Sequence, residues 1–231
     1  MSIIVPDEAI KLIEKVYDDL LSPSAKEVGA ILKEIFKSLH LLSLPFKALG
    51  FINTKFEKFI EKSIEKTEEK NRILPPGMVI LKFYQELLVQ NINSEEFELL
   101  SNLFSKYIDK TQLNYAHPAF LVIIPQLSSD EIKILNVLKN QPYKSVMYHP
   151  FVDKKLTIPY IESNEFPISS LQYPDNFFMY IDHLYSLNLS ICRQHGKQIS
   201  DYDKNVLKGI RVSRILYLTN FGVFFEKACL K

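Results

Sequence analysis

The sequence predicts a mainly α-helical protein with a small β component: an N-terminal helical bundle followed by a winged-helix-like C-terminal module. Three observations carry that expectation. Apolar residues recur at helical spacing through most of the first 140 positions. Proline-bearing breaks punctuate the pattern, most clearly at Pro75-Pro76-Gly77. Beyond residue 128 the texture changes, with more Pro, Ser and Tyr and short β-branched and aromatic runs. Three segments follow: an amphipathic helical region over 1–74, a helical block over 75–127 after the Pro-Pro hinge, and a winged-helix-like α+β module over 128–231.

Residues 7–21 place Ile10, Ile13, Val16, Tyr17, Leu20 and Leu21 on one helical face, with Asp7 and Glu8 where the helix dipole favours them. Residues 24–52 carry a stripe of Ile31, Leu32, Ile35, Phe36, Leu39 and Leu42, interrupted by Pro45. Residues 54–72 read as a charged helix with a narrow apolar stripe of Phe56, Phe59, Ile60 and Ile64. Its Glu and Lys rows favour a solvated face. Helical spacing resumes over 78–92, and Ser94 is placed to cap a helix ending near Ile108.

After a polar loop comes HPAFLVIIPQLSSDEIKIL, residues 117–135. Pro118 suits a helix first turn, Phe120, Val122, Ile123 and Ile124 supply core, and Ser128 or Ser129 caps a helix over 129–140. Pro142, Pro150, Pro159 and Pro167 make 141–173 read as irregular, with LTIPYI as an edge strand at most. A helix over 175–188 follows, then a strand over 189–193, a long turn over 196–205, a strand over 211–218 and a Thr219-capped helix. Helix, arm, helix, strand, turn, strand and helix is the order of a winged helix-turn-helix unit.

Composition narrows function. A chain of 231 residues that is 47% hydrophobic can bury a sizeable core, which excludes global disorder. A net charge of +1 removes any bulk electrostatic argument for nucleic acid or membrane. Two cysteines make no disulfide framework. The N-terminus lacks the features of a signal peptide, and no apolar run reaches the roughly 18 residues of a membrane span. A cytoplasmic protein is expected.

Motifs of chemistry are missing. None of the five histidines forms H-E-x-x-H, and neither cysteine belongs to C-x-x-C. There is no phosphate-binding glycine loop and no nucleophile elbow. Glu131-Ile132-Lys133 matches a nuclease triplet only superficially, because it opens a helix. Cys192, near Arg193 and His195, reads as a half-buried strand cysteine. No catalytic, cofactor or metal residue is assigned.

Two surface readings remain. Arg193, Lys197, Lys204, Lys208, Arg211 and Arg214 could contact nucleic acid, but the recognition-helix position over 175–188 has no Arg or Lys. From residue 128 onward 13 basic residues face 10 acidic ones, against 15 and 17 before it, too small an asymmetry for a DNA footprint. Phe36, Leu39, Leu42, Phe46, Leu49 and Phe51, flanked by lysines, could form a face for a membrane surface or a partner. That face would permit a peripheral location at the inner membrane.

The chain also resembles the bacterial abortive-infection family called Abi-alpha. The resemblance rests on Tyr17-Asp18-Asp19-Leu20, Leu74-Pro75-Pro76, and a central block of His117-Pro118-Ala119-Phe120, Ile123-Ile124 and Gln126-Leu127-Ser128. It closes on Leu218-Thr219-Asn220-Phe221-Gly222 with Phe225, Ala228 and Cys229. Pro125 stands where the family pattern has a basic residue. The resemblance implies a part in phage defence, in which an infected cell stops growing or dies before phage matures. It carries no catalytic residue onto this chain. The expectation is a non-enzymatic defence protein acting through protein contacts with a host or phage component, with self-association left open. The alternatives are a membrane-active effector using residues 24–52 and a winged-helix regulator that binds nucleic acid.

Overall fold

The computed structural model describes residues 55, 56 and 58–230. The helices expected over 7–21 and 24–52 lie outside those residues. The chain divides into two compact units, one running to Gln126 and taking in the stretch from Lys227, the other spanning Leu127–Glu226.

The described part of the first unit contains α1 (58–64), α2 (Gly77–Val89), α3 (Glu95–Tyr107) and α4 (Ala119–Ile123). Phenylalanines at helical spacing converge. Phe59 of α1 lies 5.7 Å from Phe83, 5.7 Å from Phe97 and 5.3 Å from Phe104, and Phe83 meets Phe104 edge to face at 4.9 Å. All four rings are essentially fully buried. Such pairs add about 0.5–1.5 kcal/mol each beyond area burial. Ser94 caps α3 by accepting from the Phe97 amide at 3.1 Å.

The helix expected to reach residue 72 stops at 64 and gives way to a 3-10 turn, Glu69–Asn71. Its polar side is only partly solvated. Ser63 and Thr67 are buried against α3, and Lys62 and Lys66 both pair with Glu98 of α3. The last residues complete this unit: Cys229 is fully buried and its carbonyl accepts from Asn102 Nδ2 at 2.6 Å.

The second unit runs α5 (Ser129–Leu138), β1 (Tyr143–Val152), β2 (Lys155–Leu156), β3 (Tyr160–Asn164), α6 (Phe177–Ser186), β4 (Ser190–Gln194), β5 (Ile199–Asp203), β6 (Val206–Leu218) and α7 (Asn220–Phe225). The six strands form one antiparallel sheet. Long strands β1 and β6 lie at its centre, in register from Tyr143↔Leu216 to Pro150↔Gly209. β2 and β3 flank β1, and β4 and β5 flank successive stretches of β6. This sheet overturns the expected helical bundle followed by a winged helix. An extended strand system, not an irregular arm, separates α5 from α6.

The prolines misled for a physical reason. Pro142 precedes β1, Pro159 precedes β3 and Pro167 follows it. Only Pro150 lies inside a strand. Its carbonyl accepts from the Thr157 amide at 2.8 Å, and a strand residue's nitrogen and carbonyl point to the same side. The missing N–H therefore faces the short β2 edge and removes no bond to β6. The expected long turn over 196–205 is mostly β5 and its hairpin. Asp153-Lys154 and Lys204-Asn205 all have positive φ, the geometry of tight two-residue hairpin turns.

The junctions are equally specific. α6 ends in a Schellman motif: Leu189 N–H donates to Leu184 O and Asn188 N–H to Tyr185 O, with Asn188 at φ 58°. Thr219 caps α7 by accepting from the Gly222 amide at 2.9 Å, while its own hydroxyl donates to Asn188 O. The start of α7 thus lies against the end of α6. A Cβ at Gly222 would fall 1.9 Å from Leu189 O, so only glycine fits.

Candidate functional site

Alternation along β1 and β6 sends Tyr143, Ser145, Met147, Arg214 and Leu216 to one face of the sheet. α6 covers that face with Phe177, Ile181 and Tyr185, and a cavity of about 350 Å³ remains between helix and sheet. Its walls are largely apolar. Its polar groups include Arg214 from β6, Arg193 and the Cys192 thiol from β4, Asp182 from α6, Ser145 from β1 and Asn164 from β3. Arg214 Nη1 lies 3.0 Å from Met147 Sδ, a weak acceptor. Among the described residues no carboxylate lies within ion-pair distance of the Arg214 guanidinium. Burial pushes the Cys192 thiol up, Arg214 pulls it partly back and Asp182 opposes that, so the sulfur stays protonated at neutral pH and is a poor nucleophile.

The other face carries a charged network. Arg211 Nε donates to both Glu162 oxygens at 2.8 and 2.9 Å, its guanidinium lies 3.4 Å from Asp201, and it stacks 5.0 Å above the Tyr148 ring. Tyr148 Oη donates to Asp201 at 2.9 Å. Two sequence features make room for this. Glu162 is the extra residue of a bulge in β3, which turns its side chain toward β6. Gly209 lets the Tyr148 ring cross the β6 backbone, since a Cβ there would sit 2.4 Å from the ring. The Glu162 hydrogen bond, opposed by desolvation and aided by Asp201, raises the Arg211 guanidinium further above its ordinary value. Burial first, then Asp201, pushes the Tyr148 phenol up.

A third cluster joins α5 to α6. Ser128 and Glu131 form a capping box, with Ser128 N–H donating to Glu131 Oε2 at 2.8 Å. The other Glu131 oxygen lies 2.5 Å from His183 Nδ1. Asp130, 2% exposed, accepts from the Gln172 and Tyr173 amides at 2.7 and 2.8 Å and from Tyr180 Oη. Burial pushes this carboxyl up, but the two amides and Lys133 outweigh it and hold it below the usual range. The Glu131-Ile132-Lys133 triplet is therefore structural, its acid spent on a helix cap and its lysine turned to Asp130.

The six basic residues read as nucleic-acid contacts differ in their surroundings. Arg211 is held by Glu162 and Asp201, Lys208 lies 3.8 Å from Asp203, and Arg214 lines the cavity. Arg193, Lys197 and Lys204 remain exposed. Phe36, Leu39, Leu42, Phe46, Leu49 and Phe51 lie outside the described residues. Among the described residues no helix is long and apolar enough to cross a membrane, and no three His, Cys, Asp or Glu side chains are grouped to hold a metal ion.

The signature residues occupy junctions. His117 Nδ1 accepts from the Ala119 amide and its ring lies 5.5 Å from Phe120. Pro118 precedes α4, Phe120, Ile123 and Ile124 are buried, Val122 is exposed rather than in the expected core, and Gln126 Nε2 donates back to Val122 O. Leu127 is buried and Ser128 caps α5. At the other end, Leu218 pairs with Ser190, Thr219 caps α7, Phe221 lies in its first turn, Gly222 touches Leu189, and Cys229 is buried.

One surface went unnoticed in the sequence. The β1–β2 and β5–β6 hairpin turns lie at the same end of the sheet. Around that end Val152, Leu156, Ile158, Tyr160, Tyr202 and Val206 are all at least half exposed, Ile158 by 89%. The signal was the apolar alternation of LTIPYI beside a hairpin, hidden by its proline.

No curated protein and no solved structure gives a significant match to the chain. The sequence profile of the abortive infection alpha family matches residues 52–229, from α1 through the buried Cys229. The matched span takes in nearly all the described part of the helical unit and the whole sheet unit, including the Ser128 cap and the Gly222 contact, and the chain belongs to the abortive infection alpha family.

Proposed function

We propose that this chain is a phage-defence protein that works without chemistry of its own, by docking a host or phage protein on the hairpin end of its sheet. The observation that carries this reading is the cluster of exposed large apolar side chains there. Leaving Ile158 and Tyr202 in water costs free energy that docking would recover, and several large apolar side chains exposed at one end of a sheet suit an interaction surface. Family membership supplies the biological setting.

The test is phage plating on cells expressing the parent chain or the double variant Ile158→Asp/Tyr202→Asp. Both positions are exposed, so the variant keeps the parent's melting temperature within a few degrees. Expected is a drop in plating on the parent that the variant loses. Pull-down from infected cells should recover a protein with the parent and not with the variant. A variant that protects as well as the parent overturns the docking surface; a parent that never lowers plating overturns the defence role.

A further inference from the structure

We propose that the cavity between α6 and the sheet binds a small organic anion with an aromatic or aliphatic body, its carboxylate taken by Arg214. This goes beyond the docking surface above and does not depend on it.

The first argument is shape and lining. A volume of about 350 Å³ falls within the range of small-molecule sites. Phe177, Ile181 and Tyr185 from the helix and Met147, Ile161 and Leu216 from the sheet offer an apolar bed. The second argument is the state of Arg214. A guanidinium has five N–H donors in a fixed fork matched to a carboxylate. Here it is half-buried among apolar side chains, and its one hydrogen-bond acceptor among the described residues is the Met147 thioether. Compare Arg211, three positions earlier on the same strand, which is bound by two carboxylates. The strand satisfies one arginine internally and leaves the other facing a cavity.

The third argument is the sign of the charge. Arg193 also contributes to the lining, so two guanidiniums face one carboxylate, Asp182. Asp182 is exposed. It lies at the outer wall, where a bound anion can keep away from it while its body occupies the apolar bed. A neutral apolar molecule would fill the bed and leave Arg214 desolvated and unpaired, which costs affinity. The preference for an anion therefore follows from the cavity's own unmet donor.

The experiment compares two probes of one shape, 2-naphthoate and the neutral 2-naphthylmethanol, by titration calorimetry on the full chain. Naphthoate should bind about tenfold tighter, the margin of one charge-assisted pair. Arg214→Met should abolish that margin by weakening naphthoate and tightening the neutral probe, which no longer strands an unpaired guanidinium. Position is read from cysteine chemistry. Cys192 is half-buried in the cavity wall and Cys229 is fully buried elsewhere, so at alkaline pH, where the raised Cys192 thiol begins to ionise, iodoacetamide should modify Cys192 alone, and saturating naphthoate should slow that reaction. Equal affinity for both probes, a margin that survives in R214M, or Cys192 modification indifferent to naphthoate overturns the proposal. The wild-type comparison and the Cys192 readout decide it even if R214M fails to fold.

Discussion

At the scale of single residues, several of this chain's most specific positions are contacts that admit no substitute. Gly222 sits where a helix start meets the end of α6 with no room for a methyl group. Gly222→Ala should cost about 2–3 kcal/mol as the junction is forced apart, measured by urea denaturation. Asp130 makes a second prediction. Its folded carboxyl is held below the ordinary value of 3.8, so the stability it contributes is fully present above that pH and is lost as pH falls through the lower folded value. Asp130→Asn should therefore flatten the decline of stability on acidification below about pH 4, while lowering stability at neutral pH by roughly 1–3 kcal/mol as one buried acceptor becomes a donor. Thermal melts across pH 2 to 7 read both effects. An N188A variant tests the αL position of the Schellman motif in the same way, with a loss of about 1 kcal/mol.

At the scale of elements, most helices were legible, while of the strands only β4 and the later part of β6 were read outright and β1, β2 and β5 were missed. Ser94, Ser128 and Thr219 announced their helices because a cap is a local signal written in adjacent residues. The β1 strand was hidden because a proline's effect depends on which neighbour its nitrogen would have faced, and the sequence does not state that. The β5–β6 hairpin was hidden because its turn, Lys204-Asn205, lacks the glycine that usually marks one. That absence has an energetic trace. Lys154, at φ 62° in the matching β1–β2 turn, occupies a conformation that suits glycine. Lys154→Gly should stabilise the hairpin by about 0.5 kcal/mol, and Lys154→Val should destabilise it by more than about 1 kcal/mol. Chemical denaturation with a far-ultraviolet probe separates the two directions.

At the scale of the whole molecule, the candidate site was the least legible part. Arg214 and Tyr185 are far apart in sequence, and their meeting depends on the register of β1 against β6 and on the placement of α6 over one face. A row of basic residues in the sequence proved to be one arginine held by two carboxylates, two arginines lining the cavity and three exposed lysines. Family membership was readable because its signature falls on helix caps and close backbone contacts. The division into units adds a prediction. Deleting everything after Glu226 removes Cys229 from the N-terminal unit and leaves Asn102 without its acceptor. Hydrogen exchange should then speed up in α3 while the β1–β6 ladder keeps its protection.

The same crossing of the chain has a consequence during synthesis. A ribosome delivers residues in order, so the helices around Phe59 and Phe104 emerge long before the residues that cover them. The whole sheet must be translated in between. The unit that begins first is finished last, and during that interval the surface around Asn102 is open to whatever else binds nascent chains.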